Sequence, residues 1–175
     1  MSIIYHKSSI NQPLLIGWRE WCALPRLRIP LIKAKIDTGA RTSAIHAFRI
    51  QTLRRQGKEW VKFSVHPIQG YDKAVVDCVA EIIDERWIMS SNGHKEHRFV
   101  IKTPLKMGAR QWDIELTLSN RDPLRFRMLL GRSAMQGRVV IDPLHSYRIE
   151  HYSKRAQIKM YRAIGNKKIK GAKVD

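Results

Sequence analysis

The sequence predicts an all-β fold, an antiparallel sandwich or barrel, on three observations. Strand-length runs with period-two alternation recur along the chain. Glycine, proline, asparagine and aspartate clusters separate these runs at short intervals. Helical patterning is scarce, and regularly spaced short strands are the pattern of sandwiches and barrels.

Taken in order, the first alternating segment starts at Ile16, Trp18 and Glu20 and runs to Trp21, before Pro25. Ile32, Ala34 and Ile36 alternate with Lys33 and Lys35, as in a strand with one wet face. Ser43 to Ile50 continues as one strand. Val61, Phe63 and Val65 alternate with Trp60, Lys62, Ser64 and His66 up to Pro67. Ala74 to Ile83 is rich in valine and isoleucine, which favour strands. Phe99 to Thr103 and Trp112 to Leu118 follow, the latter with Trp112, Ile114, Leu116 and Leu118 on one face. Phe126 to Leu130, Val139 to Ile141 and Tyr147 to Ile149 complete the strands. Turns fall at Gln69-Gly70, Asn92-Gly93, Lys106-Met107-Gly108, Asn120-Arg121-Asp122-Pro123 and Asp142-Pro143. Helix is limited to one turn at Gly131 to Gln136 and a basic helix from Ser153 to Ile164, with disorder from Gly165 onward. The chain divides into an N-terminal extension (1–13), one domain (14–152) and a basic C-terminal tail (153–175).

Composition narrows the function classes. No apolar run approaches the roughly 20 residues of a membrane span. Met1 to Pro13 lacks a continuous apolar signal core, and Cys22 and Cys78 are too few for a disulfide framework. A reducing cytoplasm is the expected setting. The net charge of +18 exceeds the roughly 2–8 units that solubility needs, and such a field attracts polyanions. Lys154, Arg155, Lys159, Arg162, Lys167, Lys168, Lys170 and Lys173 in the tail face only Asp175.

The stretch with most chemical content is Leu31-Ile32-Lys33-Ala34-Lys35-Ile36-Asp37-Thr38-Gly39-Ala40. A half-buried strand delivers one aspartate into a glycine turn. A carboxylate on a rigid element, beside a hydroxyl and small residues, suits acid/base work. Asp-x-Gly also begins ordinary turns. Two further features accompany it: the apolar run Met128-Leu129-Leu130-Gly131-Arg132, and hairpins between the two, one around Ser90-Ser91-Asn92-Gly93.

This order resembles the retropepsin-type aspartic proteases, with Asp-Thr-Gly-Ala, a flap hairpin, then two hydrophobic residues and Gly, often followed by Arg. A narrower resemblance covers about Trp18 to Ile149. It rests on the run from Leu31 to Ala47, on Ser91-Asn92-Gly93-His94-Lys95-Glu96-His97-Arg98, on Ile114 to Arg121, on Met128 to Arg132 and on Val140-Ile141-Asp142-Pro143. These segments resemble the retropepsin-like family associated with RimK-type ATP-grasp glutamate ligases, a family also labelled ATP-dependent zinc protease.

The resemblance implies a retropepsin-like acid-protease closed barrel with one short helix after Leu130-Gly131. It implies catalysis at Asp37, Thr38 and Gly39, with Ala40, Leu130, Gly131 and Arg132 structural at the site. Two nearby carboxylates share a proton; one activates water while the other polarises the peptide carbonyl. Thr38 is expected inward, bracing the loop through its hydroxyl, and Gly39 permits close approach of two loops. No internal repeat supplies a second Asp-Thr-Gly, so Asp37 is expected to meet Asp37 of a second subunit in a homodimer. Asp142 or Asp113 is the intrachain alternative. Arg41 reads either as a solvated turn arginine or as a cation for substrate carboxylates.

Substrate contacts are expected from Arg41, Trp87, Asn92 and Gly93, with Asn92-Gly93 as flap and Gln69-Gly70 as its rival. Trp18, Trp21, Trp60 and Trp112 read as core rather than as a stacking platform for single-stranded nucleic acid. No His-Glu-x-x-His is present, and on a strand His94 and His97 point to opposite faces, so no metal is assigned. No phosphate-binding glycine loop is present, so no cofactor is assigned and any ATP dependence falls to a partner ligase. The resemblance implies an acidic substrate, the glutamate tail that such a ligase adds to a ribosomal protein, and association with ribosome or ligase. The other reading is a non-catalytic basic module that binds ribosomal RNA or a ligase partner.

Overall fold

A computed structural model describes residues 12–89, 93, 95–120 and 126–171, the last seven as backbone alone. The expected all-β class is found. Eleven strands form among the described residues: β1 (Leu14–Gly17), β2 (Arg19–Leu24), β3 (Ile29–Ile36), β4 (Ser43–His46), β5 (Phe48–Arg55), β6 (Lys58–Val65), β7 (Val76–Met89), β8 (Lys95–Met107), β9 (Arg110–Ser119), β10 (Met128–Leu130) and β11 (Val139–Asp142). A short helix α1 (Arg132–Met135) follows Leu130-Gly131 as expected, and α2 (Lys154–Gly171) is the last element among the described residues.

Nine strands join in the order β2-β3-β10-β4-β9-β8-β7-β6-β5. One further pairing, Ala23 with Lys106, returns β8 to β2 and closes the first six strands into a ring. Strands β7, β6 and β5 extend the sheet beyond it. A separate parallel pair, β1 and β11, sets Leu15 beside Val140. The core fills the ring, with Leu24, Ile32, Ile45, Ile101, Leu105 and Leu116 fully buried. Each such side chain contributes about 1.5–3 kcal/mol by leaving water. Both cysteines are buried in this core.

Several boundaries differ from the sequence reading. Ser43 to Ile50 is two strands, because the sheet breaks at Ala47 and Arg49 takes a left-handed conformation (φ 52°) where the β5–β6 register shifts. Strand β5 then runs on to Arg55 and turns at Gln56-Gly57. Strands β7 and β8 reach well past Ile83 and well before Phe99. Their outer arms are charged, and cross-strand partners hold them: Glu85 with His97 at 3.0 Å, and Trp87 packed on the His97 ring at 5.2 Å. Tyr147 to Ile149 is not a strand. Tyr147 has φ 57°, and the Arg148 N–H donates to the buried Glu20 carboxylate at 2.8 Å instead of to a ladder. Helix α2 starts one residue later than expected and continues through Gly165 to Gly171.

Trp21 and Trp112 are buried as expected, and Trp87 is 72% exposed.

Candidate active site

The site is built where one strand is threaded between two others. β10 runs parallel to β3, with Leu130 beside Ile36, and antiparallel to β4, with Leu129 beside Ala44. The chain leaving β3 must therefore cross the end of β10 before it enters β4. Residues 37–42 make that crossing, and Asp37 stands at its start.

Backbone hydrogen bonds fix the crossing. The Asp37 N–H donates to Leu130 O at 2.9 Å, Arg132 N–H to Ala40 O at 2.9 Å, and Ser133 N–H to Arg41 O at 3.0 Å. Gly131 lies against the loop so closely that a Cβ there would sit 2.6 Å from the Thr42 carbonyl carbon. Glycine is required at that position by space. The Gly131 N–H donates to Ser43 Oγ at 3.1 Å, and Thr117 Oγ1 donates to Ser43 O at 3.0 Å. Ser43 is fully buried, so this hydroxyl satisfies an amide that water cannot reach.

The Asp37 carboxylate is oriented by its own turn. Its Oδ1 accepts from the Gly39 N–H at 3.0 Å and the Ala40 N–H at 3.2 Å. Its Oδ2 takes no hydrogen bond among the described residues. Asp37 is half-buried, while Thr38 and Gly39 are exposed. One oxygen is anchored and the other is presented at an open edge, the disposition a general base needs.

Arg132 opens α1 directly after Gly131. Its Nη1 donates to Thr38 O at 2.7 Å and to Gly39 O at 3.1 Å, clamping the glycine turn. Thr38 does not brace the loop within this chain. Its side chain is exposed, its hydroxyl has no partner among the described residues, and the bracing comes from Arg132 and from Ser133 Oγ, which donates to Arg41 O at 2.9 Å. Trp112 Nε1 donates to Ala134 O at 2.8 Å and so anchors α1 beneath this clamp. Arg41 is exposed, and its guanidinium has no partner among the described residues.

Asp37, Thr38, Gly39, Ala40, Arg41, Leu130, Gly131 and Arg132 are thus one local unit. Trp87 and Gly93 lie apart from it on the β7–β8 hairpin, and Asn92 lies outside the described residues. The hairpin is tied to the unit through Arg86, whose Nη1 donates to Thr42 Oγ1 at 3.3 Å and Glu115 Oε2 at 2.8 Å. Hydrogen bonds to Glu115 and then to Asp84 raise the Arg86 pKa further above its usual value. The rival turn at Gln69-Gly70 lies against α2, with Lys154 Nζ donating to Gly70 O at 3.1 Å. Asp142 is engaged elsewhere, by His145 and Arg148 at 2.7 Å each, and Asp113 faces Lys102. Among the described residues no three His, Cys, Asp or Glu side chains converge as a metal site.

Ser43, Thr42, Ser133 and Arg86 escape the sequence reading. The one usable signal is Ser43, a hydroxyl at an inward position of an apolar strand, where an unpaired polar group would cost free energy.

A family model described as RimB-like, retropepsin-like aspartic endopeptidase RimB, matches residues 15–152. The chain belongs to this family. Curated relatives include a protein of Desulfotalea psychrophila named probable alpha-L-glutamate ligase, 53% identical over 147 residues, which are 84% of this chain and 32% of that one. Another of the same name, from Shewanella pealeana, is 48% identical over 137 residues, 78% of this chain and 30% of that one. The chain therefore spans about a third of the length of these relatives. A solved Legionella pneumophila protein of unknown function (DUF785) superposes with a TM-score of 0.64 at 22% identity. It covers 79% of this chain and 100% of its own, and shows a shared fold. The RimB-like assignment agrees with an all-β chain whose β3–β10–β4 crossing carries the Asp-Thr-Gly turn.

Proposed function

We propose that this RimB-like chain is an aspartic peptidase, active as a homodimer in which Asp37 of each subunit supplies half of the catalytic pair. The observation that carries this reading is the Asp37 carboxylate, with Oδ1 held by two backbone amides and Oδ2 unbonded among the described residues, on an exposed loop. The sequence holds one Asp-Thr-Gly, and the side chains of Asp113 and Asp142 have other partners. In the dimer the two carboxylates share one proton. The ionised Asp37 takes a proton from water as the water attacks the peptide carbonyl. The protonated Asp37 polarises that carbonyl and then protonates the departing amine. The β7–β8 hairpin is the flap, and its exposed Trp87 and Met89 meet the substrate.

The substrate is an acidic peptide, a glutamate tail placed on a ribosomal protein by a ligase. Support comes from the glutamate-ligase names of relatives that are longer than this chain, and from Arg41 beside the Asp37 turn. An arginine there offers a bidentate contact to carboxylates, which an apolar cleft would be costly to desolvate. The protein acts in the cytoplasm beside its ligase, in keeping with a chain of only two cysteines, both buried in the core. Among the described residues no helix is long and apolar enough to cross a membrane.

The test is Asp37→Asn. Wild type should shorten a glutamate-tailed peptide in a mass-spectrometric assay and sediment as a dimer. The variant should keep the dimer and the melting temperature and lose cleavage. Cleavage by Asp37→Asn at the wild-type rate would sink the mechanism.

A further inference from the structure

The nine-stranded sheet ends at β5, whose outer edge has no partner strand among the described residues. That edge is eight residues long and offers unpaired N–H and C=O groups, a template on which another chain can pair. β5 carries Arg49, Arg54 and Arg55, all exposed, and no acidic residue. None of the three forms an ion pair among the described residues, although Glu59 stands directly across the ladder from Arg54. Arg49 lies over the Phe48 ring at 5.5 Å and Arg55 over the Trp60 ring at 5.9 Å, so two of the three rest on aromatic surfaces. Arg49 also takes φ 52° where the register shifts between Phe48 and Gln51, a conformation that a non-glycine residue holds at a cost. Bulges of this kind re-aim a side chain. Beside it lies a cavity of about 350 Å³ lined by Arg49, Ile50, Gln51, Lys62, Ser64 and Asp77. There the Asp77 carboxylate accepts from Ser64 Oγ at 2.7 Å, while Arg49 and Lys62 have no carboxylate partner among the described residues.

We infer that the β5 edge binds an extended acidic peptide segment as a further strand, with one acidic side chain of that segment seated between Arg49 and Lys62. The edge itself selects the class of partner. Its alternating N–H and C=O groups are matched in full only by another polypeptide backbone. Phosphates of a nucleic acid or of a bilayer accept from the N–H groups and leave the C=O groups unmatched. The arginines then select the sign of the partner's charge. A second copy of this strand is disfavoured, because β5 on β5 would set three arginines against three with no acid on either side. Charged residues also blunt an edge against chance pairing. That role requires neither a strained arginine nor a cation-lined cavity beside it. In a docked strand every second side chain falls on the cavity side, at a repeat of about 7 Å. Main-chain bonds then supply affinity, and the cavity supplies the preference for an acidic residue. The site is separate from the Asp37 crossing, toward the other end of the strand order, and does not rest on the catalytic reading.

The experiment titrates the full chain into a labelled peptide of alternating glutamate and valine, about as long as β5, following anisotropy and, by mass spectrometry, hydrogen exchange of the protein. Bound peptide should slow exchange of the amides of residues 48–55. The same peptide N-methylated at every residue keeps its charge and loses its amide donors, so its affinity should fall about 100-fold. Arg49→Gln/Arg54→Gln/Arg55→Gln should weaken the parent peptide about tenfold, the worth of three exposed charge contacts. Arg155→Gln/Arg162→Gln, exposed arginines of α2, should leave its affinity unchanged. The inference fails if the N-methylated peptide, or a lysine–valine peptide of the same length, binds as tightly as the parent. It fails if the α2 pair weakens binding as much as the β5 triple, or if an RNA strand of matched charge protects the same amides. Protection confined to residues 37–42 and the β7–β8 hairpin would put the peptide at the Asp37 site and equally overturn it. Asp37→Asn should bind the peptide as wild type does, so a failure of the peptidase reading leaves this outcome untouched.

Discussion

Replacing Gly131 with alanine tests the crossing at its tightest point. The new Cβ would lie 2.6 Å from the Thr42 carbonyl carbon, 2.8 Å from Thr42 O and 2.9 Å from Arg41 O. All three are backbone atoms, so no side-chain rotation relieves the contact. Carbon atoms in good contact stand about 3.5 Å apart, so β10 and the loop must separate by roughly 1 Å. The bonds Asp37 N–H to Leu130 O, Arg132 N–H to Ala40 O and Ser133 N–H to Arg41 O, at 2.9, 2.9 and 3.0 Å, bridge the same gap. Stretched by that amount they pass out of hydrogen-bond range. At about 1 kcal/mol each, the loss is about 2–4 kcal/mol, within the usual cost of overpacking. At about 2–4 °C per kcal/mol for a chain of this size, the melting temperature should fall by about 10 °C. Peptide cleavage should fall by about two orders of magnitude, because the carboxylate is displaced by about 1 Å. Gly137→Ala is the comparison: no atom lies within 4 Å of its Cβ, and only φ +70° opposes the change. That substitution should cost about 1–2 kcal/mol and leave cleavage intact. If Gly131→Ala melts within about 2 °C of wild type and cleaves normally, the steric reasoning is wrong.

Three further outcomes are expected. Arg41→Gln should raise KM for a glutamate-tailed peptide by about tenfold, the worth of one charge-assisted contact, and leave KM for a neutral peptide unchanged; equal effects on both would remove Arg41 from substrate binding. His145, Leu144 N–H and Arg148 hold the Asp142 carboxyl below its usual pKa, with the His145 bond the largest cause. Its stabilising contribution is therefore present above the unfolded value of about 3.9 and lost as pH falls through the lower folded value, so Asp142→Asn should be less stable than wild type at neutral pH and converge with it in acid. Urea titrations at several pH values measure that convergence. Burial, reinforced by Glu20, pushes the Cys22 thiol up to about 12, so it should resist a thiol reagent at pH 8 until the chain is denatured; labelling of the native protein at the rate of an exposed thiol would contradict this.

Much of the architecture is legible because it rests on local pattern. Ile32, Ala34 and Ile36 alternate cleanly, and Met128-Leu129-Leu130 is continuously apolar, with Met128 and Leu130 buried on one face and Leu129 half-buried on the other. The same logic explains the failures. Strand β5 and the outer arms of β7 and β8 carry charges on both faces, so alternation says little, and cross-strand partners such as Glu85 and His97 stabilise them. Tyr147 to Ile149 has strand-like residues, but its backbone bonds go to Arg19 and Glu20. Asp37 and Gly131 are visible as residues in a motif. That Ser43, Ser133 and Arg132 hold their loop depends on partners some 90 residues distant, and no window of sequence contains both.

The threading of β10 also orders the events of folding. The Arg132 clamp closes on Thr38 across a separation of 94 residues. Such a contact requires long-range closure, which is slow because entropy is lost before any bond is gained. During synthesis Asp37 is therefore made early and stays unassembled until residues 128–132 have left the ribosome and slid between β3 and β4. A fragment that stops short of residue 128 lacks both β10 and the Arg132 clamp, so its Asp37 turn has nothing to hold it.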